Sequence, residues 1–269
     1  MKQILICCVN YHNPQEVIDY ITHLRKQTVY EQIDVVVTDN SESKDEFQFL
    51  KMHLDDIYVY QSSKNLGYIH GINYGLKKYL ETHSRPEWIV ISNTDITYQD
   101  NEFFEKLFTF YPDGYDCVVA PCIYSLENNS YQNPLVINRY TKLKMFFLTY
   151  VFKFTFIERC FDALNNIKNK FQLRKISLLP NQEIYSAHGS CLIINKCYFE
   201  KGGNLEYGSF LFGEELFISE QVRQLEGKVF FDNRLKVNHH EHATISKEKR
   251  KRINQFYFDS MEYLYKEYY

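Results

Sequence analysis

The chain has 269 residues, 45% hydrophobic and 24% charged, which suits one large α/β domain and excludes a wholly disordered, collagenous or coiled-coil protein. A net charge of −3 excludes a surface built to neutralise nucleic acid. The unusual feature is aromatic content: 23 Tyr and 21 Phe stand against 10 Gly and 6 Pro, a composition that suits stacking platforms, an apolar interface or a membrane-surface contact.

After Met1-Lys2-Gln3, the apolar run Ile4 to Val9 is too short for a signal-peptide core. No stretch reaches about 18 apolar residues, so no spanning helix is predicted. The seven cysteines lack paired spacing. Cys7, Cys8, Cys117, Cys191 and Cys197 fall in or beside apolar runs, which predicts buried thiols in a reducing, cytoplasmic setting and no zinc site.

The first half alternates cleanly. KQILICCV (2–9) reads as a buried strand, and Asn13-Pro14 opens the helix after it. IDVVVTD (33–39), DIYVYQ (56–61), EWIVISN (87–93) and CVVAP (117–121) read as four more strands, with helix-like segments between them. The alternation predicts an α/β fold with a mostly parallel sheet and helices on both faces. In such sheets ligands gather at the carboxyl ends of the strands. Asn10, Asp39, Asn65 and Asn93 to Asp95 follow those runs, all with polar side chains suited to a ligand.

From about 123 to 180 the pattern changes. Residues 139–175 lack Gly and Pro, are rich in aromatics, and hold nine Lys or Arg against Glu158 and Asp162. Nine minus two gives +7, so the rest of the chain carries −10. Such a basic, aromatic, helix-forming insertion reads either as an interfacial segment on an anionic bilayer or as a helical hairpin packed on the domain. After 180, HGSCLIIN (188–195) reads as turn and strand, and 212–227 as a helix ended by Gly227. KVFFD (228–232) reads as a strand, VNHHEHAT (237–244) as a polar turn, and the tail from 246 as one helix opening on KEKRKR (247–252). The organisation predicted is a domain over 1–245, with the insertion at about 123–180, and a helical tail over 246–269.

Three features in order point further. VNYH (9–12) and VVVTDNSES (35–43) follow the first two strands; NLGYIHGINYGL (65–76) follows the third; ISNTDI (91–96) precedes a late GEELFISEQVRQLEGK (213–228). In this order and spacing the chain resembles a family 2 glycosyltransferase of the GT-A fold, close to the bacterial rhamnosyltransferase-like branch, over about 3–121 and 186–242. The resemblance implies an inverting transfer from a nucleotide-diphosphate sugar, UDP- or dTDP-linked, to a hydroxyl of a glycan or lipid-linked acceptor. The implied setting is bacterial surface polysaccharide assembly in the cytoplasm, peripheral to the inner membrane face, with Mg2+ or Mn2+ as cofactor. The alternative is a GT-A-like domain that binds nucleotide or glycan without turnover.

The resemblance also assigns residues. Asp39 would contact the base, beside Asn10, although it could equally form an Asx turn or helix cap. Asn65 and Gly67 precede a helix whose free N–H groups suit an anion, with Asn73 further along. Gly71 and Gly75 suit close packing of that helix on the sheet. Asn93-Thr94-Asp95 stands where the family carries Asp-x-Asp, so Asp95 becomes the metal ligand, while Asn93 removes one charge from the site. Glu215 would be the catalytic base with Glu214 beside it, although acids also complement a helix N-terminus. His239, rather than His240, would complete the metal site, in a stretch where His242 adds a third imidazole. His188-Gly189-Ser190 reads either as an acceptor contact or as a tight turn.

Overall fold

A computed structural model describes residues 3–111, 117–151, 179–241 and 250–269. The first apolar run forms β1 (Ile4–Asn10), whose near-complete burial explains why it shows no polar alternation. It pairs in parallel with β2 (Ile33–Asp39) on one side and β4 (Trp88–Ser92) on the other. Parallel pairing continues from β2 to β3 (Tyr58–Gln61). The chain thus runs outward through β1, β2 and β3, then returns to the far side of β1, which makes the β1/β4 boundary a topological switch point.

Beyond β4 the sheet continues through β9 (Cys191–Asn195), β6 (Cys117–Ser125), β10 (Lys228–His239) and β5 (Ile96–Tyr98). β9 runs antiparallel to both its neighbours, while β6 and β10 are parallel to each other. Two short strands, β7 (Ser130–Tyr131) and β8 (Gln182–Ile184), add antiparallel to β6 and β10. Because β9 is reversed, Cys191 lies opposite Ser92. The loop entering β9 therefore joins the carboxyl ends of β1, β2 and β4.

The period-two pleat sorts β1 into two cores. Ile4, Ile6 and Cys8 pack with α1 (Pro14–Leu24), α2 (Lys44–His53) and α4 (Phe103–Phe110). Leu5 and Cys7 face α3 (Tyr68–Leu80), Met145 of α5 (Lys142–Val151), α7 (Glu214–Gln224) and α8 (Arg250–Tyr268). A short α6 (Lys196–Glu200) follows β9. The α/β architecture with helices on both faces is as predicted, and α8 contributes buried Met261 and Leu264 to the second core.

Several boundaries differ. The helix after β2 is capped by Ser43, which accepts from the Glu46 amide, so the Asp39-Asn40-Ser41 turn precedes the cap. β6 runs on to Ser125 and β7 follows it, so the sheet reaches into the stretch assigned to the insertion. The expected turn at 237–244 begins as strand: Val237 to His239 close β10 against β5 across an irregularity between Asp232 and Lys236. Alternation hid this strand because Asn238 and His239 are polar. Cys7, Cys8, Cys122 and Cys191 are buried while Cys197, expected to be, is only half-buried, and burial pushes the Cys8 and Cys191 thiols up to about 12. Residues 152–178 of the insertion, His242 and residues 247–249 of the basic run lie outside the described residues.

Candidate active site

The carboxyl ends of β1 and β2 hold a sealed polar network. Asn10 Nδ2 donates to Asp39 Oδ1 at 2.8 Å, and its own oxygen accepts from the Asn13 amide at 3.2 Å. The same Asp39 oxygen accepts from the Ser41 amide at 3.1 Å, an Asx turn, while Oδ2 receives a long 3.5 Å bond from Gln61. Both Asn10 and Asp39 are buried.

Asn40, not singled out in the sequence, ties this network to the loop before α3. Its amide donates to the Gly67 carbonyl at 2.9 Å and its oxygen accepts from Ser62 at 2.9 Å. Asn65 Oδ1 in turn accepts from the Gly67 amide at 2.8 Å. Gly67 has a φ of 82°, and a Cβ there would overlap the Phe210 carbonyl, so only glycine fits. A Cβ at position 71 would lie 2.9 Å from Val9 Cγ2, and one at 75 only 2.5 Å from Thr38 Oγ1, which makes both glycines packing residues. Asn73 is half-buried in the second turn of α3, and among the described residues no side-chain hydrogen bond joins it to the others.

The second half of the site forms where β4 and β10 end and the reversed β9 begins. The Asn93 amide donates to the Ser190 carbonyl at 2.8 Å, which fixes the Asn93-Thr94-Asp95 turn against the loop entering β9. Thr94 donates to Glu16 of α1 at 2.6 Å. Asp95 is buried, and His239 Nε2 lies 3.2 Å from its Oδ1 without hydrogen-bond alignment. Gln132 faces the other ring nitrogen: its Oε1 sits 2.7 Å from His239 Nδ1, while its Nε2 donates to Glu241 at 2.7 Å. An amide oxygen can only accept, so Nδ1 carries a proton and the Nε2 position faces the Asp95 carboxylate. A ring nitrogen and a carboxylate facing each other are suited to a shared cation. His240 instead lies beside Thr97, 3.2 Å from Oγ1.

His188 stacks edge-on to His239 with ring centroids 5.7 Å apart. Its Nδ1 accepts from the Ser190 amide at 3.2 Å, and burial, reinforced by His239, holds its imidazole down at about 4 against the opposite pull of Asp95. His188 is therefore neutral at physiological pH. The next residue, Gly189, borders the acidic pair: a Cβ there would stand 3.7 Å from Glu215 Oε2 and 3.9 Å from Glu214 Cγ.

The acidic pair opens α7 just after two left-handed residues, Phe212 at φ 68° and Gly213 at φ 73°. For a bulky residue such as Phe212 this is a strained backbone, held only where surroundings over-determine it. α8 provides those surroundings. Ser260 donates to the Phe212 carbonyl at 2.8 Å, Tyr207 lies 2.6 Å from the same hydroxyl, and the Tyr257 ring stacks on Phe212 at 3.7 Å. Glu214 Oε2 is buried without a hydrogen-bond partner. Burial pushes both carboxyls up, Glu214 further because the Glu215 charge adds to it. The two carboxyls therefore titrate together, as one pair raised above the ordinary carboxylate range. Tyr68, whose phenol is pushed well up by burial and by the charges of Glu214 and Asp95, stands between the two carboxylate clusters.

Among the described residues no three His, Cys, Asp or Glu side chains cluster as a complete metal cage. Asp95 and His239 nevertheless fit a divalent cation that takes its other ligands from phosphate and water, as Mg2+ commonly does.

Comparison with known proteins follows the same lines. The glycosyl transferase family 2 model matches residues 3–201. The hexosyltransferase Agl10 of low-salt glycan biosynthesis in Haloferax volcanii is 22% identical over 232 residues, covering 83% of this chain but only 62% of its own length. Among solved structures, the mannosyltransferase PcManGT from Pyrobaculum calidifontis, in complex with GDP-Man and Mn2+, is similar with a TM-score of 0.55 at 11% identity. That match covers 98% of this chain and 69% of the other. GalNAc-T7 with UDP, GalNAc and Mn2+ gives 0.60 at 13% identity (89% and 44% covered), and S. aureus TarS 1-349 gives 0.56 at 11% (98% and 72% covered). At such identities the structures speak for the fold, which is the GT-A glycosyltransferase fold. The family match spans most of the chain, which therefore belongs to the family 2 glycosyl transferases.

Proposed function

We propose that the protein is an inverting glycosyltransferase that moves a hexosyl or rhamnosyl unit from a nucleotide-diphosphate donor to an acceptor hydroxyl. The observation that carries this reading is the Glu215 carboxylate beside Gly189, one loop from the Asp95–His239 pair. In an in-line transfer the acceptor oxygen bonds to the anomeric carbon as the bond to the diphosphate breaks, and the hydroxyl proton needs a base. Glu215 is that base, with Glu214 beside it in the raised pair. Neutral His188 offers the donor an Nε2–H without competing for the proton.

Asp95 and His239 would hold Mg2+ or Mn2+, with Asn93 beside them as a neutral amide. When bound, the ion offsets charge developing on the leaving diphosphate. The residues themselves orient the donor: Asn65 and Gly67 shape the loop at the α3 N-terminus, and Asp39 meets the base once Gln61 swings off its Oδ2. UDP- and dTDP-linked donors both suit this reading, as does a glycan or lipid-linked acceptor in surface polysaccharide synthesis on the cytoplasmic side of a membrane. The domain division proposed is a catalytic unit over 1–245, with the helical segment 246–269 buttressing it.

The second reading, nucleotide or glycan binding without turnover, draws on Asn93, which leaves the metal pair one charge short of Asp-x-Asp. Calorimetric titration with UDP, dTDP and GDP, each with and without Mn2+, tests the donor site. A manganese-dependent response to one nucleotide is expected, and silence from all three in folded protein sinks the assignment. Glu215→Gln separates the two readings: the enzyme loses transfer and keeps donor binding.

A further inference from the structure

Among the described residues, nine large hydrophobic side chains are exposed, and four of them lie in the ten residues of α5. Leu143 is 66% exposed, Phe146 40%, Phe147 60% and Tyr150 43%. Their spacing of i, i+3, i+4 and i+7 places them in one stripe along the helix. The opposite side is anchored: Met145 and Thr149 are buried, and Thr149 bonds to the Met261 carbonyl of α8 at 3.3 Å. The stripe is thus outward-facing on a fixed helix. Isolated exposed apolar residues need no explanation, but a continuous stripe marks a contact surface.

Charge identifies what that surface meets. α5 contains Lys142 and Lys144 and no acid, and residues 139–175 around it carry nine cations against two acids. The two helices run antiparallel, since Lys142 and Phe146 approach Tyr265 while Thr149 meets Met261. Exposed Lys251 and Arg252, at the start of α8, therefore lie toward the far end of the stripe. An apolar stripe with cations at both ends matches a bilayer surface with anionic headgroups, where aromatic rings enter the interface and lysines meet the phosphates. A second copy of this chain would set like charges against each other.

We infer that α5 docks the protein on an anionic membrane surface through Leu143, Phe146, Phe147 and Tyr150, with flanking lysines and arginines on the headgroups. Among the described residues no helix is long and apolar enough to cross a membrane, so the contact is interfacial. The position of the helix adds a consequence that rests on the function proposed above. Arg139, three residues before α5, pairs with Glu220 of α7 at 2.7 Å, so the docked face begins beside the helix whose first turn carries Glu215. An acceptor held in the bilayer would then present its hydroxyl where Glu215 stands.

The test uses the full chain and sucrose-loaded vesicles, one set of phosphatidylcholine with phosphatidylglycerol and one of phosphatidylcholine alone. Sedimentation with the mixed vesicles but not the neutral ones is expected, weakened by high salt. Leu143→Ser with Phe147→Ser should lose at least about tenfold in partitioning at an unchanged melting temperature, and Lys142→Gln with Lys144→Gln about threefold or more. Three results overturn the inference: no binding to mixed vesicles, equal binding by the serine variant, or a dimer in solution that the serine variant dissolves. A fall in the variant's melting temperature would also overturn it, by showing that the chain itself covers the stripe. A chain that binds vesicles yet transfers no sugar sinks the proposed function and leaves the docking standing; one that transfers sugar and ignores vesicles does the reverse.

Discussion

The ends of β1 and β2 and the start of α7 handle buried polar groups in opposite ways. At the ends of β1 and β2, Asn10, Asp39 and Asn40 meet one another and their neighbours through directed hydrogen bonds. At the start of α7, Glu214 has a buried oxygen without a partner, the neighbouring carboxyl is also raised by burial, and the preceding backbone is left-handed at a phenylalanine. Satisfied groups hold a shape; unsatisfied ones retain free energy that a bound substrate can recover. On the proposed function, the first supplies binding geometry and the second proton chemistry.

The sharpest way to break that contrast is Glu215→Gln. Transfer should fall by about 10^2 to 10^4, measured as turnover of whichever nucleotide sugar binds, with calorimetric donor affinity unchanged. A matching loss of affinity would merge the two regions into one binding site. Next in size is Gly67→Ala, which forces a Cβ into the Phe210 carbonyl at positive φ. It should destabilise the fold by about 2–3 kcal/mol in denaturant melts, with a weaker nucleotide response. Stability like the parent's would show that the loop before α3 is not held as described.

Gln132→Leu removes the acceptor for the His239 Nδ1 proton while leaving Asp95 and His239 in place. Manganese affinity, read by calorimetry without donor, should fall about tenfold; unchanged affinity would remove His239 from the metal site. The smallest effect is on stability. A carboxyl raised in the folded state is fully compatible with folding while protonated in both states. Stability is then lost as pH rises from the ordinary carboxylate range toward the raised value. Glu214→Gln abolishes this loss, so its melting advantage over the parent should grow as pH rises from about 5 to about 8. An advantage independent of pH would mean that the Glu214 carboxyl is not raised.

The strand ends were legible because periodicity and the α/β rule depend on local sequence: Asn10, Asp39 and Asp95 each close a buried run. The family resemblance located Glu215 and His239, although His239 lies in a strand where composition predicts a turn. Asn40 was within reach as the middle of Asp-Asn-Ser, but its partners Ser62 and Gly67 are 22 and 27 residues away. Gln132 carried no signal at all: it meets His239 across 107 residues, through the pairing of β6 with β10. The support of Phe212 by Ser260 spans 48 residues and depends on where α8 packs. Such long-range contacts follow from tertiary pairing, which no window of sequence contains.

The reversed strand β9 has a further consequence for how such proteins diversify. The chain leaves the sheet after β7, returns to it in β8 against β10 and then enters its centre at Cys191, and a bridge between Val136 and Ser186 ties the two sides of that excursion together. That excursion is tied down by the clasp, by α5 on α8 and by β8 on β10, and it contains none of the strands β1 to β4 or β9. That stretch could be exchanged for another of different length without shifting the register of any central strand. Chimeras joined at the clasp would ask whether acceptor preference travels with the excursion while donor preference stays with the sheet.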